Sequence, residues 1–141
     1  MWFMTISLNP YLSFRGNARA AMDFYQSVFG GELTINTFEQ LHAAQDPSEN
    51  DQVMHSQLAT DNGLTLMASD TTERWPYNPG DNFQISLSGT AEDESVLTAY
   101  WDKLIVGANV TQPLSKAAWG DSFGMCIDTF GIRWLINISA A

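Results

Sequence analysis

The stretch Ser13-Phe14-Arg15-Gly16-Asn17-Ala18 recurs 73 residues later as Ser86-Leu87-Ser88-Gly89-Thr90-Ala91. Each copy ends a short alternation of apolar and polar residues, which is typical of a strand, and opens a helical pattern. A second match, 68 residues apart, pairs Gly63-Leu64-Thr65-Leu66-Met67 with Gly131-Ile132-Arg133-Trp134-Leu135. Two matches in the same order, each spaced by about half the chain, predict a duplicated unit of about seventy residues.

Each unit is predicted to contain a strand, a helix and three further strands. Asn17 is the expected N-cap of the first helix, with its side-chain oxygen accepting a backbone N–H, and Thr90 is the expected cap of the second. The predicted helices are Ala18–Phe29 and Ala91–Ile105, the second with Val96, Leu97, Tyr100, Leu104 and Ile105 on one face. The predicted strands are Tyr11–Phe14, Glu32–Leu41, Val53–Thr60, Leu64–Ser69, Phe83–Leu87, Val110–Leu114, Ser122–Asp128 and Ile132–Ile138. The pattern therefore predicts an α+β fold with two βαβββ modules, about 8–70 and 82–139, joined by a loop at 70–81 within one domain of 141 residues.

The composition excludes several classes of function. The chain has 16 acidic and 6 basic residues, a formal net charge of −10 and 45% apolar residues. Nucleic acids and anionic lipids require clustered Lys and Arg, so neither is an expected partner. No apolar run approaches the ~20 residues of a membrane span, and no secretion signal is recognised. We expect a cytoplasmic protein without membrane contact.

Two connections between predicted strands are long. His42–Gln52 contains a polar cluster rich in turn-forming residues, and we expect a mobile loop whose carboxylates, Glu49 among them, are solvated. The connection at 70–81 carries Trp75 and Tyr77, and we expect it to fold onto an apolar surface.

Alternation along each strand assigns its side chains to two faces. The helix side is predicted to hold Met54, Ser56 and Leu58, then Phe83, Ile85 and Leu87, and finally Trp134, Ile136 and Ile138. The opposite face is predicted to hold His55, Gln57, Met67, Gln84 and Asn137. A mixed polar face of this kind is typical of either a ligand cleft or a solvated sheet, and the pattern alone leaves both open.

Few residues are candidates for catalysis. Cys126 lies in an apolar context and is predicted to be a buried small hydrophobe, and His42 is predicted to be solvent-exposed. His55, in the middle of a strand, is the best candidate for a general base near neutral pH. A hydrogen-bonded structural histidine is the alternative.

Several stretches resemble the PhnB-like proteins, in order, from about Asn9 to Ile138. They are Pro10-Tyr11-Leu12-Ser13-Phe14-Arg15-Gly16-Asn17-Ala18, Phe24-Tyr25, Phe29-Gly30-Gly31, Met54-His55-Ser56, Leu66-Met67-Ala68-Ser69-Asp70 and the segment from Trp119-Gly120 to Asn137. That family is similar to the glyoxalase/bleomycin-resistance/dioxygenase (vicinal oxygen chelate) superfamily and is also catalogued as 3-demethylubiquinone-9 3-methyltransferase-like. The resemblance implies curved mixed sheets around a cleft, and a homodimer.

The resemblance also implies where a metal would bind. Metalloenzymes of the superfamily place His, Glu or Gln ligands on the first and last strands of the modules. Here those positions hold Tyr11 to Ser13, Gln84 and Leu135, which offer one weak ligand, so we expect no metal and no cofactor. A methyltransferase using S-adenosylmethionine needs a parallel α/β sheet with a glycine-rich turn, which the pattern does not predict.

Residues and resemblance together predict a metal-independent protein that binds a small molecule. The predicted ligand contacts are His55, Met67, Trp75, Gln84, Trp119 and Asn137. One alternative is an enzyme, either a divalent-metal-dependent lyase, isomerase or dioxygenase or a metal-free catalyst using His55. Another is a dimeric interaction module without a small ligand. A homodimer is predicted in each case, with the apolar Met1-Trp2-Phe3-Met4 near its interface.

Overall fold

The computed structural model describes residues 6–140, which form two compact units that divide between Pro79 and Gly80. The predicted interface segment Met1-Trp2-Phe3-Met4 lies outside the described residues. The elements are β1 Tyr11–Phe14, α1 Ala18–Phe29, β2 Glu32–Thr37, β3 Val53–Ala59, β4 Thr65–Asp70, β5 Ile85–Thr90, α2 Glu94–Leu104, β6 Asn109–Lys116, β7 Ser122–Ile127 and β8 Arg133–Ser139, with single 3-10 turns at Pro47–Glu49 and Ala91–Asp93.

Each unit is a βαβββ module with one four-stranded sheet. The strand orders are β1-β4-β3-β2 and β5-β8-β7-β6. In both sheets the first and last strands of the module pair in parallel, and the other neighbours are antiparallel. The predicted α+β fold of two βαβββ modules with mixed sheets is confirmed. None of the helices described between residues 6 and 140 is long and apolar enough to cross a membrane.

The start of α1 is fastened by a carboxylate from another strand. Asp70, at the end of β4, is buried and accepts the backbone N–H groups of Gly16 and Ala18 at 2.8 and 2.9 Å, as well as that of Val53 at 2.9 Å. Asn17 occupies the N-cap position, but its side chain makes no capping bond, so its predicted role is wrong. The acceptor is supplied by tertiary structure, which local sequence does not display.

A bulge in β3 changes which side chains face the core of the first module. Asn36 pairs with His55, but the next residue of β2, Thr37, pairs with Val53, so one residue of β3 is left over. Val53 is therefore buried and Met54 is 38% exposed, which makes the predicted helix-side position of Met54 wrong. His55 and Gln57 keep the predicted opposite face, because the irregularity precedes them.

In the second module, α2 packs on the sheet through the indole ring of Trp101. Leu97, Trp101 and Leu104 are the buried residues of α2, whereas Val96 is 45% exposed, contrary to prediction. A Cβ atom at Gly124 would lie 3.0 Å from the Trp101 ring, so glycine makes room for the ring.

The last strand of the second module confirms its predicted apolar face, with Trp134, Ile136 and Ile138 buried. Several predicted boundaries are wrong, among them the start of β5 and the end of β2. The strand β5 begins at Ile85, leaving Phe83 outside it and 54% exposed rather than turned inward. The strand β2 ends at Thr37 rather than Leu41, because Thr37 and Gln40 close a turn through mutual side-chain bonds.

Candidate functional site

The predicted ligand contacts are divided equally between the two modules. His55 and Met67 lie on β3 and β4 of the first module, and Trp75 lies on the segment that follows β4. The second module holds Gln84, Trp119 and Asn137. Each module is therefore described by itself.

The sheet face of the first module that is turned away from α1 is lined mostly by neutral polar side chains, with the carboxylate of Glu32 at the start of β2, and we call it the open face. Strand pairing aligns four of them in one row across the sheet, in the order Thr34, Gln57, Met67 and Tyr11. The same face carries the cross-strand pairs Asn36 with His55 and Ser13 with Ser69. Sequence alternation thus placed His55, Gln57 and Met67 on one face correctly.

Tyr11 and His55 form a pair that spans this face. The phenol oxygen of Tyr11 lies 3.1 Å from Nδ1 of His55, and the ring centroids are 5.7 Å apart. Tyr11 is on the edge strand β1 and His55 on β3, with β4 between them. Sequence reasoning considered Tyr11 only as a poor metal ligand. The alternation of β1 is the signal that could have placed Tyr11 on the face of His55, since Leu12 and Phe14 are buried on the other side.

The hydrogen bond fixes what this pair can offer to a ligand. If the phenol O–H donates to Nδ1, the neutral imidazole carries its proton on Nε2 and donates there, while the phenol oxygen accepts. If Nδ1–H donates instead, the phenol O–H and Nε2 exchange these roles. In either tautomer the pair presents one donor and one acceptor. No hydrogen bond to Nε2 of His55 is found within residues 6–140.

A short segment after β4, residues 71–77, is fastened along β1, and we call it the strap. The guanidinium of Arg15 donates to the Trp75 carbonyl at 2.5 Å and to Glu73 at 3.1 Å, and lies 5.1 Å from the centroid of the Tyr77 ring. The Tyr77 hydroxyl donates to the carbonyl of Ser13 at 3.3 Å. The expectation that Trp75 and Tyr77 fold onto an apolar surface is therefore wrong, because a cation and polar backbone hold them.

A second arginine joins the strap to the loop between β2 and β3. Arg74 donates to both carboxylate oxygens of Glu49, at 2.9 and 3.2 Å, and Glu49 also accepts the backbone N–H of Gln45 at 2.9 Å. Glu49 is 5% exposed, so the prediction of a solvated carboxylate is wrong. The hydrogen bonds from Arg74, followed by that from Gln45, lower the pKa of Glu49 to about 2.

The corresponding face of the second module is apolar at its centre. Met125 lies opposite Leu135, and Phe123 lies opposite Asn137. On the outer strand β5, Ser86 and Ser88 flank Leu135 and Asn137. This face thus combines the apolar side chains of Met125, Phe123 and Leu135 with two serine hydroxyls at its edge.

The three predicted ligand contacts of the second module have different surroundings. Trp119 is 65% exposed and packs edge-on against Phe123, with centroids 5.8 Å apart. The amide of Asn137 donates to Asp121 at 3.2 Å, and Asp121 also accepts the N–H of Ala140. Gln84 is exposed and precedes β5. Phe123 therefore contacts the ring of Trp119 and is the strand partner of Asn137, whereas Gln84 lies outside the paired residues of β5.

Cys126 lies on the other face of β7, 1% exposed, as predicted. Burial, followed by the charge of nearby Asp128, raises the pKa of its thiol to about 11. A thiol with so high a pKa is protonated at neutral pH and is a poor nucleophile.

The donor chemistry around His55 does not fit the divalent metal that the superfamily implies. The neighbouring side chains carry amides, hydroxyls and a thioether, and Nδ1 of His55 already contacts Tyr11. The carboxylates of Asp70 and Glu49 are occupied by backbone N–H groups and Arg74. Within residues 6–140, no group of three or more His, Cys, Asp or Glu residues is arranged to hold a metal ion.

Comparison with known proteins assigns the family. The family model described as 3-demethylubiquinone-9 3-methyltransferase matches residues 7–137. The chain belongs to this family. It is similar to Protein YjdN of Escherichia coli K12, at 30% identity over 93% of this chain and 94% of that protein.

Several solved structures share the fold of this chain. Protein PA1353 from Pseudomonas aeruginosa is 31% identical, with a TM-score of 0.81 over 97% of this chain and all of that one. A putative 3-demethylubiquinone-9 3-methyltransferase, PhnB protein, from Bacillus cereus is 24% identical, with a TM-score of 0.70 over 95% of this chain and all of that one. A glyoxylase/bleomycin resistance protein/dioxygenase domain from Frankia sp. EAN1pec is 12% identical and shares the fold, with a TM-score of 0.65 over 97% of this chain and 93% of that one. The predicted resemblance to PhnB-like and glyoxalase/bleomycin-resistance proteins is confirmed.

Proposed function

We propose that the chain is a metal-independent protein that binds a small organic molecule on the open face of its first module. The observation that carries the proposal is the Tyr11–His55 pair, because it leaves one hydrogen-bond donor and one acceptor on a polar face. A ligand with a carbonyl or amide group would engage both. Trp75, which is 58% exposed, offers an indole to a flat apolar part of the ligand.

His55, Met67 and Trp75 are the predicted ligand contacts at the centre of this site in the first module. Gln84, Trp119 and Asn137 stay predicted ligand contacts within the second module. We further propose that the chain acts in the cytoplasm as a homodimer, which light scattering at micromolar concentration would test. Ile6 and Leu8 support an interface near the N-terminus because both are fully exposed apolar side chains.

The family name does not transfer methyl chemistry to this chain. Methyltransferases of the common type bind S-adenosylmethionine at the glycine-rich turn of a parallel α/β sheet. Both sheets described between residues 6 and 140 are instead mixed sheets of four strands, each with a single parallel pair. Methyl transfer is therefore not part of the proposal.

The test uses benzamide, a planar ring with one amide, as the probe. The chain has two histidines, so His42→Ala both assigns the imidazole signals and serves as the matched control, since His42 is exposed. We expect benzamide to shift the NMR signals of the His55 ring and not those of His42. His55→Ala should weaken benzamide binding, followed at the Met67 methyl, at least tenfold and leave the melting temperature nearly unchanged.

The alternative of a structural histidine predicts the reverse outcome. Removing a buried hydrogen-bonded group costs ~1–3 kcal/mol because its partner is left unsatisfied. A large loss of stability in His55→Ala with unchanged benzamide affinity, or no benzamide shift at His55 in the wild-type protein, would contradict the proposed site.

A further inference from the structure

Trp75 is half-exposed, yet the strap that carries it is held at both ends. The guanidinium of Arg15 donates to the carbonyl oxygen of Trp75. Within the strap, the N–H of Trp75 donates to the carbonyl of Thr72 at 3.0 Å. These bonds fix the backbone of Trp75. They do not by themselves fix the direction of the indole ring.

The ring has a cationic neighbour. The guanidinium carbon of Arg74 lies 5.8 Å from the centroid of the Trp75 ring, within the range of a cation–π contact. A guanidinium on a flexible side chain orients a ring only if it is itself held. Arg74 is held by the bidentate bond to Glu49 and by a 3.4 Å contact of its Nη2 with the carbonyl of Ala43.

Glu49 is in turn anchored in the loop between β2 and β3. It ends the 3-10 turn Pro47–Glu49, its carboxylate accepts the N–H of Gln45, and it is buried. The chain of contacts therefore runs from a buried carboxylate through a planar guanidinium to the indole. An arginine suits this arrangement because its rigid fork can bind two oxygens while its flat face lies against a ring.

We propose that Glu49 and Arg74 are positioning residues that orient the indole of Trp75 for stacking on a ligand. The inference rests on the proposed function only in assigning Trp75 to the ligand. The positioning of the ring is a property of the free protein and is measured without any ligand.

The experiment replaces the tryptophans with 5-fluorotryptophan and follows the Trp75 signal, assigned through Trp75→Phe, by fluorine NMR. In Glu49→Gln we expect this signal to move and to narrow, because the ring is released. Asp51→Asn is the matched control, since it removes the same charge from an exposed position two residues away, and it should leave the signal in place. Arg74→Lys, which retains the charge without the fork, should give an intermediate shift, and Arg74→Ala should reproduce the shift of Glu49→Gln.

Benzamide titrations of the same variants connect the ring to binding. We expect Glu49→Gln to weaken benzamide at least threefold and Asp51→Asn to have no effect. An unmoved Trp75 signal in Glu49→Gln, or an equal shift in Asp51→Asn, would overturn the positioning role. A moved Trp75 signal with unchanged benzamide affinity would overturn the link to the ligand. If benzamide failed to bind the wild-type protein, the proposed function would be wrong, whereas the fluorine signal would still report on the positioning of Trp75.

The bond between Glu49 and Arg74 also sets a pH range for this effect. Because the pKa of Glu49 is lowered to about 2, the carboxylate stays charged well below the range where an ordinary glutamate titrates. The stabilisation that the Glu49–Arg74 pair gives to the folded protein is complete above about pH 4.5 and is lost as the pH falls towards 2. The Trp75 signal should therefore be the same at pH 4 and pH 7.

Discussion

The two modules have the same strand order but different open faces. In the first, Tyr11, His55 and Gln57 make the face polar, whereas in the second Phe123 and Met125 make it apolar. The residues under the helices are apolar in both modules, with few exceptions. The helix-side pattern therefore decides the topology, and the open face varies in its chemistry without changing the fold.

The starts of the two helices differ as well. In the first module Asp70 reaches from β4 to Gly16 and Ala18, 54 and 52 residues away in sequence. In the second, Asp93 accepts the N–H of Thr90 at 2.9 Å, only three residues away. One module thus uses a tertiary contact where the other uses a local capping bond.

The prediction with the largest expected effect tests which side chains lie on each face of β7. Cys126 is buried on the same face of the sheet as Trp134, and its pKa is about 11, while an unfolded cysteine has a pKa of ~8.5. At pH 8 the folded protein should therefore react with iodoacetamide on the order of a hundredfold more slowly than the protein in urea, because its thiol is buried and its thiolate is scarce. Peptide mass spectrometry would measure both rates. Alkylation of the folded protein at the unfolded rate would show that the face assignment of the second module is wrong.

The next prediction concerns the two helix starts. Asp70→Ala should lower the free energy of unfolding by about 3 kcal/mol or more, because three N–H groups lose a charged acceptor inside the first module. Asp93→Ala is the matched variant and should cost only ~1 kcal/mol, as a local cap does. Urea denaturation measures both. Equal losses in the two variants would contradict the distinction between a tertiary and a local cap.

The smallest effect concerns Asn137 on the second open face. Asn137→Ala should cost ~1 kcal/mol, because Asp121 loses one hydrogen bond while remaining partly solvated. Ser88→Ala changes the residue paired with Asn137 across the sheet and serves as the control, with an expected change within ~0.5 kcal/mol. Thermal melts of the two variants are compared. No difference between them would mean that the bond to Asp121 does not stabilise the turn that carries Trp119.

Much of the fold could be predicted from the sequence because its signals are local. The repeated helix starts, the glycines before β4 and β8 and the apolar alternation of β8 each depend on a few neighbouring residues. The errors arose where residues distant in sequence determine which side chains are buried or how a helix begins. The burial of Val53 instead of Met54 depends on a bulge against β2, and the start of α1 depends on Asp70.

The candidate site could be predicted only in part for the same reason. Alternation placed His55 and Met67 on one face, and it contained the information that Tyr11 shares it. The bond between Glu49 and Arg74 joins two loops 25 residues apart, and a polar loop gives no sign of which carboxylate will be buried. Side-chain pairs of this kind are specified by the packed structure and not by any one segment.

The long reach of Asp70 has a consequence for how the chain folds as it is synthesised. Since the acceptor for the start of α1 belongs to the last strand of the module, that helix start stays incomplete until residue 70 has left the ribosome. The start of α2 needs only residues already beside it, so it can close at once. Proteins rich in distant contacts fold more slowly than those rich in local ones. The first module, although synthesised first, is thus expected to form its helix start more slowly than the second.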